Sequence, residues 1–209
     1  MTALMRRRRA LMGAKKARLP AGYQEVEWIE GKKAPAIITP VWLTLDTEIE
    51  VVGQQMELQN GYLSEYGCAS PTIGLSYSNN TAVYVNFGNV RDQTGGSKVW
   101  QNQFRKIIQN KSGWWLDGVL QSQYNATSVS VNTDRKIAVF ARTSEKNSLE
   151  RFSWWRIKSF IVRQAGETVC DLIPCYRKSD VEIGMYDLVS KTFLTNAGNG
   201  SFTKGADVT

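Results

Sequence analysis

Histidine is absent from the 209-residue sequence, and this absence limits the chemistry that the chain can perform. Imidazole is the side chain that most often serves as a general base near neutral pH and that most often binds a transition metal. We therefore expect a protein that is not an enzyme and that carries no cofactor. Calcium binds oxygen ligands, so the absence of histidine does not exclude a calcium site. Its candidate ligands are scattered along the chain rather than clustered in one loop: Asp92, Asp117, Asp134 and Asp180.

Cysteine is scarce: the sequence contains an odd number of three, Cys68, Cys170 and Cys175. Cys170 and Cys175 are five positions apart, so on one regular strand their side chains would point to opposite faces. We therefore expect no disulfide between these two residues. The three cysteines are interpreted as buried free thiols of a protein made in a reducing cytosol.

The sequence also lacks a long apolar run. No segment approaches the ~18 consecutive apolar residues of a transmembrane helix, so we expect no membrane association. The basic N-terminus is not followed by the apolar stretch of a secretory signal peptide, and we expect none here. With 11% aromatic and 22% charged residues, the chain has the size and composition of one globular domain.

Acidic residues are missing from the first 18 positions, where seven of the 26 lysines and arginines lie. These cations are Arg6, Arg7, Arg8, Arg9, Lys15, Lys16 and Arg18. The other 19 cations balance the 19 acidic residues, so the net charge of +7 belongs to the N-terminus. We therefore divide the chain into a basic arm, residues 1–18, and one domain, residues 19–209. The arm is either a solvated tail or a segment held against a partner, and the neutral domain lacks the charge of a nucleic-acid-binding protein.

From Trp28 onward, short β-prone segments alternate with turn residues, and no stretch is long and periodic enough for a core helix. The spacing predicts an all-β sandwich of two antiparallel sheets. The alternation from Val41 to Val51 predicts one half-buried strand. Asp117–Gly118, flanked by apolar residues, predicts a hairpin, and Asn199–Gly200 suits a type I′ turn. Pro174 is predicted to mark the edge or end of a strand.

Seven tryptophans are present, and four of them form the adjacent pairs Trp114–Trp115 and Trp154–Trp155. Neighbours on a strand point to opposite faces, so we expect one tryptophan of each pair in the core and the other outward. Trp155 shares its phase with Ile157 and Ile161 and is the predicted core residue of the second pair. Outward aromatics suit sugar stacking or protein contact, although packing under a loop is the alternative. The candidate contact residues are Trp114, Trp154, Tyr77 and Tyr124.

Two pairs of glutamates, Glu48 with Glu50 and Glu25 with Glu27, have the i, i+2 spacing that places both carboxylates on one face of a strand. Glycosidases of concanavalin-like fold use such a pair as proton donor and nucleophile. Neither pair stands in the aromatic, Glu-x-Asp-x-x-Glu setting of those enzymes. We therefore expect polar strand faces and no hydrolase activity.

Three C-terminal segments carry the most specific pattern in the sequence: residues 173–180 (IPCYRKSD), 183–188 (IGMYDL) and 193–198 (FLTNAG). Residues 19–23 (LPAGY) and 28–30 (WIE) form a second motif near the N-terminus. Together the motifs resemble a phage and prophage domain family that is similar to the laminin-G-like, concanavalin-type jelly rolls. Members of that family often begin with a short Arg-rich tail. Their usual Ser-Thr-Gly-Thr-Gln-Tyr-Ile-Asp-Thr segment is replaced here by GKKAPAIITP, so the first core strand is expected to begin differently.

The resemblance implies a jelly-roll sandwich preceded by a basic arm, and a non-enzymatic structural protein of the virion surface. Such a protein would be made in the bacterial host cytoplasm and would decorate the head, form a head fibre or belong to the tail. We expect the arm to attach it to other virion proteins and the protein to form a homo-oligomer. The alternative is a carbohydrate-binding adhesin that recognises host or mucosal glycans.

Overall fold

The computed structural model describes residues 18–32, 34–56, 63–68, 72–78, 82–95, 103–125, 129–131 and 133–209. Within these ranges the chain forms two antiparallel sheets, and the prediction of an all-β fold is confirmed. One 3-10 turn, Glu145–Asn147, interrupts the strands. No helix among the described residues is long and apolar enough to cross a membrane.

Nineteen strands follow one another along the described chain. Their bounds are β1 Tyr23–Glu25, β2 Ile29–Lys32, β3 Ile37–Trp42, β4 Thr47–Gln55, β5 Leu63–Cys68, β6 Thr72–Ser78, β7 Ala82–Gly88, β8 Val90–Gly95, β9 Arg105–Asn110, β10 Gly113–Leu116, β11 Val119–Gln123, β12 Lys136–Val139, β13 Arg142–Thr143, β14 Leu149–Glu150, β15 Trp154–Gln164, β16 Glu167–Arg177, β17 Ile183–Asp187, β18 Thr192–Leu194 and β19 Thr203–Lys204.

The larger sheet has eleven strands, with the order β11-β10-β9-β4-β15-β16-β17-β18; β1 adds beside β16, and β2 lies between β15 and β19. The smaller sheet has eight strands, with the order β14-β13-β5-β6-β7-β8, and β12 joins β3 to β5. Among the described strands, one pair is parallel, at the single bridge between Thr143 and Cys68. The long central strands β4 and β15 pair from Thr47–Gln164 to Gln55–Trp155.

The core lies between the two sheets, because alternate residues of each strand point inward. In β4 the residues Thr47, Ile49 and Val51 are buried, whereas Glu48 and Glu50 face outward. The largest fully buried side chains are aromatic and come from both sheets: Trp114, Trp155, Tyr66, Phe87, Phe140 and Phe160. Tyr66 of the smaller sheet lies 6.2 Å from Trp155 and 5.7 Å from Phe160, measured between ring centroids. These aromatic contacts join the two sheets.

A register shift changes which residues of β15 face the core. Against β4, the pairing shifts between Ile157 and Ser159. Trp155 and Ile157 are buried before the shift, as predicted, and Phe160 and Val162 are buried after it. The prediction that Ile161 shares the core phase is therefore wrong, because the bulge exchanges the two faces of the strand.

The predicted strand from Val41 to Val51 is also wrong, because it is two strands in different sheets. β3 ends at Trp42 in the smaller sheet and β4 begins at Thr47 in the larger one. In the turn between them, the Thr47 N–H donates to the Thr44 carbonyl at 3.1 Å and the Thr44 N–H donates to the Thr47 hydroxyl at 2.9 Å. The threonine side chain thus forms this turn without glycine or proline.

The predicted hairpin at Asp117–Gly118 and the predicted type I′ turn at Asn199–Gly200 have different outcomes. Asp117 and Gly118 have φ values of 49° and 85°, and they join the paired strands β10 and β11, so the first prediction is confirmed. At the second site Gly200 has a φ of 76°, but Asn199 does not have a positive φ. The flanking strands β18 and β19 pair with other strands, so this segment is not a hairpin. Asn196 organises it instead, accepting from the backbone N–H of Ala36 at 3.0 Å.

Pro174 lies inside β16 rather than at its end, so that prediction is wrong. β15 pairs with β16 as far as Leu172, and β1 pairs with it from Cys175 onward. Pro174 falls between these two partners, where its carbonyl accepts from the Val26 N–H at 3.0 Å. Because no ladder N–H is required at this junction, proline is tolerated within the strand.

A second apolar cluster lies on the outer face of the larger sheet. It contains Leu19, Ile173, Cys175 and Tyr186, with Tyr23, Leu188 and Phe193 packed against it. Cys170 belongs to the core between the sheets. The expected opposite orientation of Cys170 and Cys175, and the absence of a disulfide between them, are therefore confirmed. Burial raises the pKa of both thiols. The Cys68 side chain lies outside the described part of the chain.

Candidate functional site

The candidate contact residue Trp154 lies on the outer face of the larger sheet, in a group that we call the Trp154 cluster: Trp28, Glu30, Lys32, Trp154 and Arg156. Strands β2 and β15 bring the group together, because Trp154 pairs with Lys32 and Arg156 pairs with Glu30 in the antiparallel register. Trp154 is half-buried, whereas its neighbour Trp155 is 1% exposed. The predicted orientation of this tryptophan pair is therefore confirmed.

Glu30 holds the cluster together. The Trp154 indole N–H donates to Oε1 of Glu30 at 2.8 Å, and Nε of Arg156 donates to Oε2 at 2.6 Å. The Lys32 ammonium lies 4.3 Å from the Trp154 ring centroid, and the Arg156 guanidinium lies 4.1 Å from that of Trp28. Each indole therefore has a cation stacked on it.

The chemistry of the Trp154 cluster is that of a contact surface. Both oxygens of the Glu30 carboxylate accept hydrogen bonds, one from the Trp154 indole and one from the Arg156 guanidinium. The cluster contains two cations, Lys32 and Arg156, and one carboxylate, that of Glu30. Flat indoles beside ordered cations suit a partner that presents carbonyl, hydroxyl or acidic groups.

Of this cluster, Trp154 was predicted as a contact residue, although the sequence also carries a signal for its neighbours. Trp28 lies immediately before β2, and with Glu30 and Lys32 of that strand it alternates in the same way as Trp154 and Arg156 along β15. Two strands that each show an aromatic residue followed by charged residues at every second position can form a mixed aromatic and charged face when they pair. The pairing itself was not visible in the sequence.

Trp114 is not an outward contact residue, and this prediction is wrong. Its side chain is 1% exposed, and its indole N–H donates to Oδ2 of Asp92 at 2.7 Å. Trp115 is the half-buried member of the pair. The neighbouring residues indicate this orientation in the sequence, because alternate positions of a strand lie on one face. Apolar Leu116 lies on the same face as Trp114, and charged Asp117 follows on the same face as Trp115.

Tyr124 is also a core residue rather than a surface contact, so this prediction is wrong as well. It is 7% exposed, and its hydroxyl donates to the Val85 carbonyl at 3.5 Å. Burial, and then the negative charge of Asp92, raise the pKa of its phenol. Tyr77 belongs to β6, but its side chain lies outside the described residues.

Of the predicted arm residues, Arg6, Arg7, Arg8, Arg9, Lys15 and Lys16 lie outside the described residues. Arg18 is held by the domain, because its guanidinium donates to both carboxylate oxygens of Glu25. The next residue, Leu19, is 9% exposed and belongs to the outer apolar cluster. The chain is therefore fixed to the sandwich from Arg18 onward.

Glu48 and Glu50 face outward side by side on β4, as their spacing predicts. A terminal nitrogen of Arg163 donates to Glu48 at 3.0 Å and to Glu50 at 3.1 Å, and the Lys106 ammonium lies 2.6 Å from Glu50. Burial alone would raise the pKa of Glu50, but hydrogen bonds from Lys106 and Arg163 lower it below its ordinary value. A carboxyl group held ionised in this way is a poor proton donor.

The four candidate calcium ligands lie in different environments. Asp92 accepts from Trp114, Asp117 pairs with Arg105, Asp134 with Arg135 and Asp180 with Arg177. In the part of the chain that the structure describes, no three residues of the types His, Cys, Asp and Glu form a group that could hold a metal ion.

Comparison with known proteins adds no assignment: no family model matches the sequence, and no curated protein matches it. The arrangements that a function can use are therefore those of the molecule itself. Two of them are the fixed exit of the N-terminal segment and the Trp154 cluster, both on the outer face of the larger sheet.

Proposed function

We propose that this chain is a non-enzymatic structural protein of a bacteriophage particle, displayed on the virion surface and attached through its basic N-terminal arm. The proposal includes the finer fold, a concanavalin or laminin-G-like jelly roll, and assembly as a homo-oligomer. Its support is the resemblance of the terminal motifs together with the two-sheet antiparallel architecture.

The observation that carries the proposal is the way the N-terminal segment joins the domain. Leu19 is buried against Ile173 and Tyr186, and Arg18 is bound to Glu25. A partner that binds residues 1–17 would therefore be coupled to the sandwich through a fixed point rather than through a free linker. Such a connection suits an anchor that must keep a surface protein in place.

The composition of the arm favours an acidic partner. Its cations include four consecutive arginines, Arg6 to Arg9, and its apolar residues are Leu4, Met5, Leu11 and Met12. Exposed ion pairs contribute only about 0.2–1 kcal/mol each, so tight attachment needs the apolar side chains or several copies as well. An acidic groove on a neighbouring capsid or tail protein offers both kinds of contact.

Deletion of residues 1–17 tests this proposal directly. We expect the truncated protein to fold and to be lost from purified particles, as measured by mass spectrometry and imaging of the particles. Replacing Arg6, Arg7, Arg8 and Arg9 with lysine is the matched control and should retain attachment, whereas replacement with serine should weaken it. Attachment of the wild type should weaken with salt, because the Debye length falls from ~10 Å at 0.1 M to ~3 Å at 1 M. Wild-type occupancy of the truncated protein would refute the anchor.

A second function, glycan binding by an adhesin, is favoured by the Trp154 cluster. Half-buried indoles beside ordered cations and a carboxylate offer both apolar and hydrogen-bonding contacts to a sugar. A glycan array with the wild type and a Trp154→Ala variant tests this function. Trp42→Ala is the matched control, because Trp42 is 46% exposed on β3 and has Lys136 at 5.3 Å from its ring centroid. Glycan signal lost in the Trp154 variant alone would support the adhesin; no glycan signal for the wild type would exclude it.

A further inference from the structure

A pocket lies at one rim of the sandwich, where three turns of the larger sheet stand side by side. They are the Leu45–Asp46 turn before β4, the Lys111–Ser112 turn after β9 and the Ala165–Gly166 turn after β15. β9, β4 and β15 are adjacent and antiparallel, so the beginning of β4 meets the ends of the other two strands. The turns line an open depression of about 220 Å³, which we call the rim pocket.

The floor of the rim pocket is an ordered set of polar groups. Glu48 accepts from Nδ2 of Asn110 at 2.9 Å through one oxygen and from Arg163 at 3.0 Å through the other. The amide oxygen of Asn110 accepts from the Ser112 backbone N–H at 2.8 Å, which fixes the orientation of the amide. Donors and acceptors thus converge on the same small volume.

An ion pair closes one side of the pocket. The Lys111 ammonium lies 2.6 Å from Asp46, and it joins two of the three turns. The side chains of Lys111 and Asp46 are 40% and 54% exposed, so both reach solvent and a ligand. An ammonium has three donors and a carboxylate has several lone pairs, so each partner keeps hydrogen-bonding capacity beyond the ion pair.

The lining is balanced in charge. Asp46 and Glu48 oppose Lys111 and Arg163, which leaves no net charge in the pocket. A phosphate or carboxylate ligand would face two carboxylates, and a cation would face an ammonium and a guanidinium. A wholly apolar ligand would remove water from these charges without replacing its hydrogen bonds. The balance therefore favours a neutral ligand that both donates and accepts hydrogen bonds.

We infer that the rim pocket binds one neutral sugar ring. Sugar hydroxyls both donate and accept, which matches the mixture of ammonium, guanidinium, amide and carboxylate groups. Leu45 is 38% exposed at the rim and offers an apolar contact for the C–H groups of the ring. The cavity lies below the roughly 300–1,000 Å³ of pockets for drug-sized ligands, so it accommodates a single terminal ring rather than a buried oligosaccharide.

This inference rests on the second proposed function, carbohydrate binding, and it names a different site and a ligand class for it. The rim pocket and the Trp154 cluster share no residue. Binding at the two places can therefore be separated by substitution.

The test is a nuclear magnetic resonance titration of the full chain with the methyl glycosides of glucose, galactose, mannose and N-acetylglucosamine. Inorganic phosphate and N-acetylneuraminic acid serve as anionic probes. We expect at least one neutral glycoside to bind with millimolar affinity and to shift the amide signals of residues 45–48, 110–112 and 163–166. We expect neither anion to produce these shifts.

Substitution of Lys111 provides the site-specific arm of the test. Lys111→Ala should weaken neutral sugar binding by about tenfold, the loss expected from one hydrogen bond to a charged group. Lys106→Ala is the matched control, because Lys106 is also an exposed lysine that is paired with a carboxylate on the same face, that of Glu50. The control variant should bind with wild-type affinity.

Several results would overturn the inference. Absence of shifts with all neutral glycosides would remove the ligand class, and shifts with phosphate alone would make the pocket an anion site. Equal weakening by Lys111→Ala and Lys106→Ala would show a general charge effect. Sugar binding that is lost in Trp154→Ala and retained in Lys111→Ala would refute the rim pocket while leaving the adhesin function standing.

Discussion

Gly53 lies directly beneath the indole of Trp155. A Cβ atom at Gly53 would be 2.4 Å from Cζ2 and 2.7 Å from Cε2 of Trp155, shorter than the 3.0 Å below which non-bonded Cβ contacts essentially never occur. Gly53 pairs with Ile157 across β4 and β15, two residues along from the tryptophan. Its φ is not in the left-handed region, so glycine is required here for space and not for backbone conformation. The Trp155 indole of β15 thus fits into the core because Gly53 of β4 has no side chain.

The first prediction is that Gly53→Ala destabilises the fold. The added methyl group must displace the indole or separate the two central strands, and overpacking of this kind typically costs about 1–3 kcal/mol. Urea unfolding measures the change. Gly22→Ala is the control, because no described heavy atom lies within 4 Å of a Cβ at Gly22. Its free energy of unfolding should stay within about 0.5 kcal/mol of the wild-type value. Equal stability of both variants would contradict the packing found here.

The second prediction concerns the adjacent tryptophans. Trp155→Ala removes a fully buried side chain that stacks on Tyr66, and it should lower the free energy of unfolding by about 3–5 kcal/mol. Trp154→Ala removes a half-buried side chain bonded to Glu30, and it should cost about 1 kcal/mol. Urea unfolding of both variants checks the difference. Small and equal losses would show that neither residue belongs to the core.

Local residue chemistry explains why much of the fold could be predicted. Asp117–Gly118 needs two positive φ values, which these residues tolerate, so the hairpin was visible in the sequence. The Leu45–Asp46 turn could not be predicted from the sequence, because it has no glycine or proline and depends on the side chain of Thr47. The bulge in β15 was equally hidden, and it reversed the predicted orientation of Ile161. Registers between distant strands decide such features.

The sites depend even more on long-range pairing. The orientation of Trp154 followed from its charged neighbour Arg156, which alternates on the same face. Glu30 and Trp154 are 124 positions apart, and only the pairing of β2 with β15 brings them together. Asn110 and Glu48 of the rim pocket are 62 positions apart. No local spacing in the sequence marks these pairs.

The third prediction is a loss of stability in acid that depends on Glu50. Its pKa is lowered in the folded protein, so the ionised carboxylate stabilises the fold above the unfolded-state pKa, and this contribution is lost as the pH falls through the folded value. We therefore expect the urea midpoint of the wild type to decrease as the pH falls below the ordinary glutamate value of 4.5. Glu50→Gln should lower the midpoint at neutral pH and flatten its decrease in acid.

Glu27→Gln is the control for this experiment, because Glu27 has an exposed side chain outside the Arg163 and Lys106 ion pairs. Its urea midpoint should follow the wild-type pH dependence. If the urea midpoint decreases equally in acid for the wild type and for Glu50→Gln, other carboxylates are responsible for the loss of stability. A higher midpoint for Glu50→Gln at neutral pH would show that the ion pairs do not stabilise the fold.

The last prediction places the boundary between the arm and the domain. Leu19 is 9% exposed and packs with Ile173, Cys175 and Tyr186 on the outer face of the larger sheet. Leu19→Ala leaves a gap in that cluster and should lower the free energy of unfolding by about 2 kcal/mol. Deletion of residues 1–17 leaves this cluster complete and should change stability by less than about 0.5 kcal/mol.

Val189→Ala is the matched control for this boundary, because Val189 is an apolar residue that is 45% exposed. In thermal and urea unfolding, the Leu19→Ala variant should be clearly less stable than the other two variants. If deletion of residues 1–17 lowers stability as much as Leu19→Ala does, the arm packs on its own domain in solution. In that case the cations from Arg6 to Lys16 are not available to a partner until the arm is released, and the anchor would require that rearrangement.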